Sequence, residues 1–264
     1  MTPTPVRVGD ADDPRVTELR DLTDAQARAH TEAEFGCFVV EGLLSLEACV
    51  RSVHPLRSVL VSESKLDRVL PLLDGSGASL YVGSQALLED ITGFPIHRGV
   101  VASAGRLPLP DPGPLVARAH RIAVVEGVND HENLGALFRN AAAFGLDAVL
   151  LDQTSADPLY RRSVRVSVGH VLHVPWTRID DVSAVDGFQR VALTPAGDVR
   201  VDDLGPADRR AWLLGAEGPG LSSEALAAAD VRARIAMAPG VDSLNVATAA
   251  AVAFAADARW RDLS

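Results

Sequence analysis

Short apolar runs alternate with helix-forming segments through the second half of this sequence. Typical runs are 121–126, 147–152 and 211–214, and further strands are expected near 170–174, 190–193 and 231–236. Helices are expected over 132–144, 157–166, 222–229 and 244–259. Strands that are apolar on both faces suit a parallel sheet, because connecting helices cover both of its sides. The sequence therefore predicts an α/β fold with a mostly parallel sheet.

A proline-rich stretch divides the chain near its middle. Residues 106–118 include Pro108, Pro110, Pro112 and Pro114, which disfavour both a helix interior and a central strand, so an extended linker is expected. Before it, strand-like runs such as 35–41 and 56–61 enclose a helical segment. These patterns predict a flexible tail over 1–14, a small α/β sandwich domain over 15–105 and a second domain over 119–264.

Composition limits the class of protein. The 264 residues, 47% of them hydrophobic, suffice for two domains with their own cores. The first residues contain no apolar signal core, and no apolar stretch approaches the roughly 18 to 20 residues that span a bilayer. A cytoplasmic protein is expected. Cys37 and Cys49 have no second Cys or His at metal-ligand spacing, so buried reduced thiols and no metal site are expected.

The formal net charge of −10 argues against a nucleic-acid-binding surface that is basic overall. A local patch is sufficient to neutralise phosphates, however, and Arg161, Arg162 and Arg165 cluster in a predicted helix. Composition alone leaves the kind of partner open.

Three motifs in the second half concentrate residues suited to chemistry. They are Asn133-Leu134-Gly135 with Arg139, the segment 215–222 (GAEGPGLS), and Ser243-Leu244-Asn245. The middle motif lacks the Lys-Ser/Thr of a phosphate-binding P-loop and carries an acid within its glycine-rich turn. No Gly-x-Gly-x-x-Gly follows the strand at 121–126, which disfavours a nicotinamide-dependent oxidoreductase.

In this order and spacing, the three motifs resemble the SpoU (TrmH-type) RNA ribose 2′-O-methyltransferases of the SPOUT superfamily. The resemblance implies S-adenosylmethionine as methyl donor, an RNA substrate, no metal, a trefoil knot within 119–264 and a homodimer formed through that domain. Residues 15–105 resemble, more loosely, the RNA substrate-binding domain that precedes the catalytic domain in many of these enzymes. That domain is similar to small ribosomal RNA-binding proteins.

The resemblance also assigns roles to individual residues. The implied catalytic residues are Asn133, Arg139, Glu217, Ser243 and Asn245. The implied cofactor-binding residues are Leu193, Thr194, Gly215, Ala216, Glu217, Gly218, Ile235, Met237 and Leu244. The expected RNA-binding residues are Arg98, Arg161, Arg162 and Arg165.

Each motif residue also has a purely structural interpretation. Arg139 stands on a helix of otherwise small or apolar residues, where burial without an anionic partner would be unfavourable, and this favours a functional role. Its structural alternative is a salt bridge on an exposed face. Asn133 sits where a helix N-cap is expected, and Ser243 or Asp242 is an ordinary N-cap for the last helix.

The separate N-terminal domain favours ribosomal RNA over transfer RNA as the substrate. A tRNA 2′-O-methyltransferase and a non-catalytic RNA-binding or ribosome-assembly module remain alternatives. The sequence leaves open which nucleotide is methylated and whether the role is housekeeping or antibiotic resistance.

Overall fold

A computed structural model describes residues 1–96 and 99–258. Within this part of the chain the strands are β1 Val6–Arg7, β2 Cys37–Glu41, β3 Leu56–Ser62, β4 Ser79–Gly83, β5 Val100–Gly105, β6 Arg121–Glu126, β7 Ala148–Leu151, β8 Trp176–Arg178, β9 Gln189–Leu193, β10 Val199–Arg200, β11 Arg210–Gly215 and β12 Val231–Arg234. The α-helices are α1 Ala25–Phe35, α2 Leu43–Val50, α3 Leu66–Val69, α4 Gln85–Thr92, α5 Pro112–Arg118, α6 His131–Ala143, α7 Arg161–Val166, α8 Ser223–Ala228 and α9 Val246–Ala258. None of the described helices is long and apolar enough to span a membrane.

The chain forms two compact units. The first comprises Met1–Pro108 and Leu159–His173, and the second comprises Leu109–Pro158 and Val174–Ser264. The segment Leu159–His173, which contains α7, therefore packs with the N-terminal residues, a grouping that the expected linear division at the linker does not include.

The first unit contains a five-stranded mixed sheet with the order β1-β4-β3-β5-β2. The predicted flexible tail is wrong at its centre, because β1 pairs in parallel with β4 and the backbone N–H of Val8 donates to the carbonyl of Val82 at 3.0 Å. Val8 is buried in the core of this unit beside Leu60 and Val101. Apolar burial thus orders residues that composition alone assigns to a tail.

The predicted extended linker is also wrong in its second half, which is α5. Asp111 caps this helix by accepting a hydrogen bond from the backbone N–H of Gly113 at 2.9 Å, and Pro112 occupies the first helical position. Proline is tolerated there because the first helical N–H groups have no intrahelical partner. The proline-rich stretch therefore contains the start of a helix.

The second unit contains a seven-stranded sheet with the order β10-β12-β9-β11-β6-β7-β8. Its described strand pairs are all parallel, which confirms the predicted mostly parallel α/β sheet. The strand expected near 170–174 is wrong: 170–172 form a short 3-10 helix in the first unit, and β8 follows Pro175. Gly169 adopts φ +79° immediately before that turn, a conformation that ends any extended run.

A buried ion cluster lies at the amino edge of the second unit's sheet. Arg121 and Arg210 begin the adjacent strands β6 and β11, and both contact Asp257 in the last turn of α9. Arg121 Nε lies 2.7 Å from Asp257 Oδ2, and Arg210 Nη1 lies 2.5 Å from Asp257 Oδ1. The three side chains are almost completely excluded from solvent. This cluster ties the end of α9, which packs against α6 and β11, to the sheet.

Candidate active site

The carboxyl ends of β9, β11 and β12 and the start of α9 surround a cavity of about 460 Å³ in the second unit. Ligands of open α/β sheets bind at this edge, because the loops that follow the strands converge there. Every residue expected to bind the cofactor lines the cavity: Leu193, Thr194, Gly215, Ala216, Glu217, Gly218, Ile235, Met237 and Leu244. Ser243 and Asn245 line it as well.

Five lining residues were absent from the sequence-based prediction: Pro195, Leu214, Gly220, Val246 and Ala249. Four of them adjoin a predicted residue or lie one helical turn from one, and Gly220 lies inside the 215–222 motif. Extending each predicted set by one turn, and including the whole of that motif, would have found them. Together with the predicted residues they make a largely apolar wall with polar side chains at Thr194, Glu217, Ser243 and Asn245.

The glycine-rich loop is folded back on itself beside β11. The backbone N–H of Gly220 donates to the carbonyl of Ala216 at 3.0 Å, and Gly218 and Gly220 adopt positive φ values of 98° and 73°. A Cβ atom at Gly215 would lie 2.2 Å from the carbonyl carbon of Gly220. The loop therefore closes only because Gly215 has no side chain.

Replacing Gly215 with alanine is expected to open this loop. The added methyl group meets backbone atoms that cannot rotate away, and overpacking of this kind costs about 1–3 kcal/mol. We expect the affinity of the cavity for its ligand to fall about 5- to 150-fold. Calorimetric titration measures this change, with Gly205→Ala as the control because a Cβ there meets nothing within 4 Å. Equal affinities for the wild type and Gly215→Ala would contradict the prediction.

A directed chain of side-chain hydrogen bonds joins the three motifs at the cavity. Asn245 Oδ1 accepts from the backbone N–H groups of Ala247 at 3.0 Å and Thr248 at 3.2 Å. Its Nδ2 group therefore points the other way and donates to Asn133 Oδ1 at 2.6 Å. Asn133 Nδ2 in turn donates to Glu217 Oε1. The start of α9 thus sets the orientation of both amides, and Glu217 is the final acceptor.

The structure corrects two predicted helix caps. Asp130, not Asn133, caps α6, since Asp130 Oδ1 accepts from the backbone N–H groups of Glu132 and Asn133. Asn245, not Ser243 or Asp242, accepts the first N–H groups of α9. Asn133 lies in the first turn of α6, where its side chain is free of capping and reaches Glu217 instead.

Comparison with known proteins identifies the family. The family model described as "SpoU rRNA Methylase family" matches residues 120–255, which is more than half of the chain. The chain belongs to the SpoU family. The family predicted from the three motifs is thereby confirmed.

Relatives of this SpoU protein include an uncharacterized tRNA/rRNA methyltransferase of Mycobacterium tuberculosis, 43% identical over 257 residues, which cover 94% of this chain and 89% of the relative. Similar solved structures include an AdoMet-bound rRNA methyltransferase from Sinorhizobium meliloti, with a TM-score of 0.83 at 22% identity over 97% of this chain and 98% of that one. Another is an RNA 2′-O ribose methyltransferase, with a TM-score of 0.78 at 26% identity over 97% and 99% of the two chains.

Arg139 of the SpoU protein is exposed on α6 and does not line the cavity itself. The opposite face of the same helix buries Leu134, Leu137 and Phe138. Across the described ranges, the Arg139 side chain forms neither an ion pair nor a hydrogen bond, so the salt-bridge alternative has no support there. Its neighbour Asn140 donates to the carbonyl of Ala247 at 2.7 Å, which holds this part of α6 against α9.

The expected RNA-binding arginines have different environments. Arg161 is buried in the first unit, where its Nη1 lies 3.0 Å from Glu41 Oε2 and its guanidinium stacks 4.3 Å from the ring centroid of Phe94. This burial corrects its expected placement on an RNA-facing surface. Arg165 is half-buried and also contacts Glu41, at 3.2 Å, whereas Arg162 is exposed. Arg98 lies outside the described residues.

A second carboxylate organises the loop after β7. Asp152 accepts hydrogen bonds from Ser155 Oγ, Thr154 Oγ1 and the backbone N–H of Gly127. Burial raises the pKa of Asp152, but these hydrogen bonds together outweigh burial and hold its pKa below the ordinary value. Arg178 donates to the carbonyls of Asp152 at 2.5 Å and Ser155 at 3.0 Å, which fixes the same loop from the other side.

Asp152 is therefore expected to make stability depend on pH. A lowered folded pKa contributes stability that is fully present above the unfolded pKa, roughly 3.9 for aspartate, and that is lost as the pH falls through the folded pKa. Asp152→Asn should reduce stability at pH 7 by about 1–3 kcal/mol and flatten the loss of stability below about pH 4. Urea unfolding between pH 3 and 7, followed by tryptophan fluorescence, measures both. If the free energy of unfolding depended on pH in the same way for the wild type and Asp152→Asn, this role of Asp152 would be wrong.

No group of three or more His, Cys, Asp or Glu side chains within residues 1–96 and 99–258 is arranged to hold a metal ion. Cys37 and Cys49 are buried free thiols, and burial raises the pKa of both, that of Cys49 to about 11.

Proposed function

We propose that this protein transfers the methyl group of S-adenosylmethionine to a ribose 2′-hydroxyl of RNA. One observation carries the proposal: the Asn245–Asn133–Glu217 hydrogen bonds join all three SpoU motifs at the edge of one apolar cavity. The similar structure with bound AdoMet and the similar RNA 2′-O ribose methyltransferase support the cofactor and the target.

The cavity suits S-adenosylmethionine in size and chemistry. Its volume of about 460 Å³ lies within the range of roughly 300–1,000 Å³ typical of small-molecule sites. Leu193, Ile235 and Leu244 offer apolar contact to the adenosine and to the carbon chain of the methionine part, and Thr194 and Ser243 offer hydroxyl groups. When bound, this cofactor supplies an electrophilic methyl group.

The polar residues of the three motifs are assigned to the ribose and to the negative charge that develops on its 2′-oxygen. We assign Glu217, Asn133 and Asn245 to orienting the acceptor, because their hydrogen bonds fix one another's rotamers before any substrate arrives. We assign Arg139 to the phosphate and to the negative charge that develops on the 2′-oxygen as its proton leaves. A guanidinium stays protonated, so its contribution is electrostatic.

Ribosomal RNA is the proposed substrate, with the first unit as its RNA-binding domain and the exposed Arg162 as one contact. Transfer RNA is the alternative, since the curated Mycobacterium relative is described for both RNA classes.

We also propose that the second unit contains the trefoil knot of the SPOUT superfamily and forms a homodimer. The exposed apolar side chains of Val241 and Val252 support an interface on that unit. Sedimentation at a monomer's mass at micromolar concentration would reject the homodimer.

A labelled transfer assay tests the reaction. The purified protein is first titrated with S-adenosylmethionine by calorimetry and then incubated with methyl-labelled cofactor and RNA from cells that lack this gene, separated into ribosomal and transfer fractions. Ribose methylation blocks alkaline cleavage at the next phosphate, so the label should appear in alkali-resistant dinucleotides from ribosomal RNA. Label in mononucleotides would reject the ribose target, label in transfer RNA would reject the substrate preference, and failure to bind the cofactor would reject the whole proposal.

A further inference from the structure

Glu126, the last residue of β6, lies outside the three motifs but contacts the middle one. Its Oε2 accepts a hydrogen bond from the backbone N–H of Ser222 at 2.9 Å. Ser222 ends the glycine-rich loop and caps α8, since its Oγ accepts from the backbone N–H of Ala225 at 3.1 Å. The Glu126 carboxylate therefore fixes the point at which the loop ends and the helix begins.

The other end of the same loop is tied to the same residue. Gly215 is the backbone partner of Glu126 in the parallel pairing of β11 with β6. Between these two attachments the loop is closed internally by the hydrogen bond from Gly220 to Ala216, and Glu217 is bound by Asn133. Glu126 thus sets the distance between the two ends of a loop that forms one wall of the cavity.

The loop after β7 holds the backbone next to Glu126 in place. The next backbone N–H, that of Gly127, donates to Asp152 Oδ1 at 3.1 Å. Asp152 belongs to the loop that Arg178 fixes through its carbonyl oxygens. A Cβ atom added at Gly127 would lie 3.4 Å from the Cβ of Ala216, so the β6 end and the glycine-rich loop run close together.

We infer that Glu126 is a positioning residue for the cofactor: its carboxylate acts as a hydrogen-bond acceptor that holds the glycine-rich loop in its binding shape. Glu126 does not line the cavity, so it acts through the loop and not by touching the ligand. Its partner is a backbone N–H, which requires an acceptor and not a charge. The inference rests on the proposed placement of S-adenosylmethionine in this cavity.

Three substitutions separate an acceptor from a charge and from a space-filling group. Glu126→Leu removes the acceptor, Glu126→Gln keeps an acceptor oxygen without the charge, and Glu126→Asp shortens the reach by one methylene. We expect Glu126→Leu to bind S-adenosylmethionine about 5- to 150-fold more weakly, the range set by leaving the Ser222 N–H without an acceptor. The affinity of Glu126→Gln for S-adenosylmethionine should stay within about threefold of the wild-type value. In Glu126→Leu and Glu126→Gln, kcat at saturating cofactor should change less than the KM for the cofactor.

Hydrogen exchange at the Ser222 amide gives a readout that needs no cofactor. We expect slow exchange in the wild type and Glu126→Gln, and fast exchange in Glu126→Leu and Glu126→Asp. Asp181→Leu is the matched control, because Asp181 also accepts a backbone N–H, that of Ser183 at 2.7 Å, outside the cavity. It should leave cofactor affinity unchanged.

The outcomes distinguish this inference from the proposed function. Unchanged affinity in Glu126→Leu, or a loss in Glu126→Gln as large as in Glu126→Leu, would overturn the inference. If Glu126→Leu does not fold, unchanged Ser222 exchange in Glu126→Asp overturns it instead. A wild-type protein that binds no S-adenosylmethionine while its Ser222 amide is protected contradicts the proposed function alone.

Discussion

Replacing Arg139 with alanine should slow methyl transfer to RNA about 10²- to 10³-fold, the loss typical of removing one group that stabilises transition-state charge. Because Arg139 is exposed and does not line the cavity, the affinity for S-adenosylmethionine and the melting temperature should both remain near the wild-type values. Single-turnover transfer with saturating cofactor and RNA measures the chemical step directly.

The control for this prediction is Arg118→Ala. Arg118 is also exposed in the second unit, on α5, and within the described residues it likewise has no ion-pair partner. The control should transfer at the wild-type rate. Arg139→Lys keeps the charge without the planar fork, so its rate should fall between those of the wild type and Arg139→Ala. A rate for Arg139→Ala within threefold of wild type would show that the assigned role is wrong.

Replacing Asp257 with alanine should destabilise the second unit by at least about 3–5 kcal/mol, the usual cost of leaving one buried charge unpaired. Here two arginines, Arg121 and Arg210, lose the carboxylate that they share, and neither can reach solvent. Cofactor affinity should fall as well, since α9 also supplies Val246 and Ala249 to the cavity.

Urea unfolding followed by tryptophan fluorescence measures this loss in the correct unit. The first unit contains no tryptophan, whereas Trp212 is fully buried on β11 of the second unit. Asp186→Ala is the control, because the Asp186–Arg190 pair is largely exposed on the Asp186 side and such pairs contribute only about 0–1 kcal/mol. Asp257→Asn should be intermediate. A loss in Asp257→Ala no larger than in the control would contradict the prediction.

Local patterns were sufficient to predict most of the strands of the second unit and the residues around its cavity. The apolar runs at 121–126 and 211–214 became β6 and β11 because each is buried on both faces, which is the property that the pattern reports. The motif residues converge because they follow parallel strands, and the ends of such strands meet at one edge.

Contacts between residues far apart in the sequence account for the predictions that were wrong or absent. Asp130 and Asn133 are both good caps three residues apart, and the position at which the chain enters α6 decides between them. Arg161 is buried because Glu41, 120 residues earlier, provides its anionic partner. The Asp257 cluster joins residues 47 positions apart or more, and no local pattern indicates it. Glu126 left a usable signal, an acidic residue that ends an apolar strand beside a glycine.

The attachment of α9 at both of its ends affects the order in which this protein can mature during synthesis. Among the described elements of the second unit α9 comes after all the strands, so it leaves the ribosome later than the sheet does. Until then the nascent sheet lacks Asn245 at one edge and Asp257 at the other, so Arg121 and Arg210 lack the carboxylate that they share in the folded unit. The binding pocket therefore forms after translation of the sheet is complete, and a half-made chain has nothing with which to retain the methyl donor.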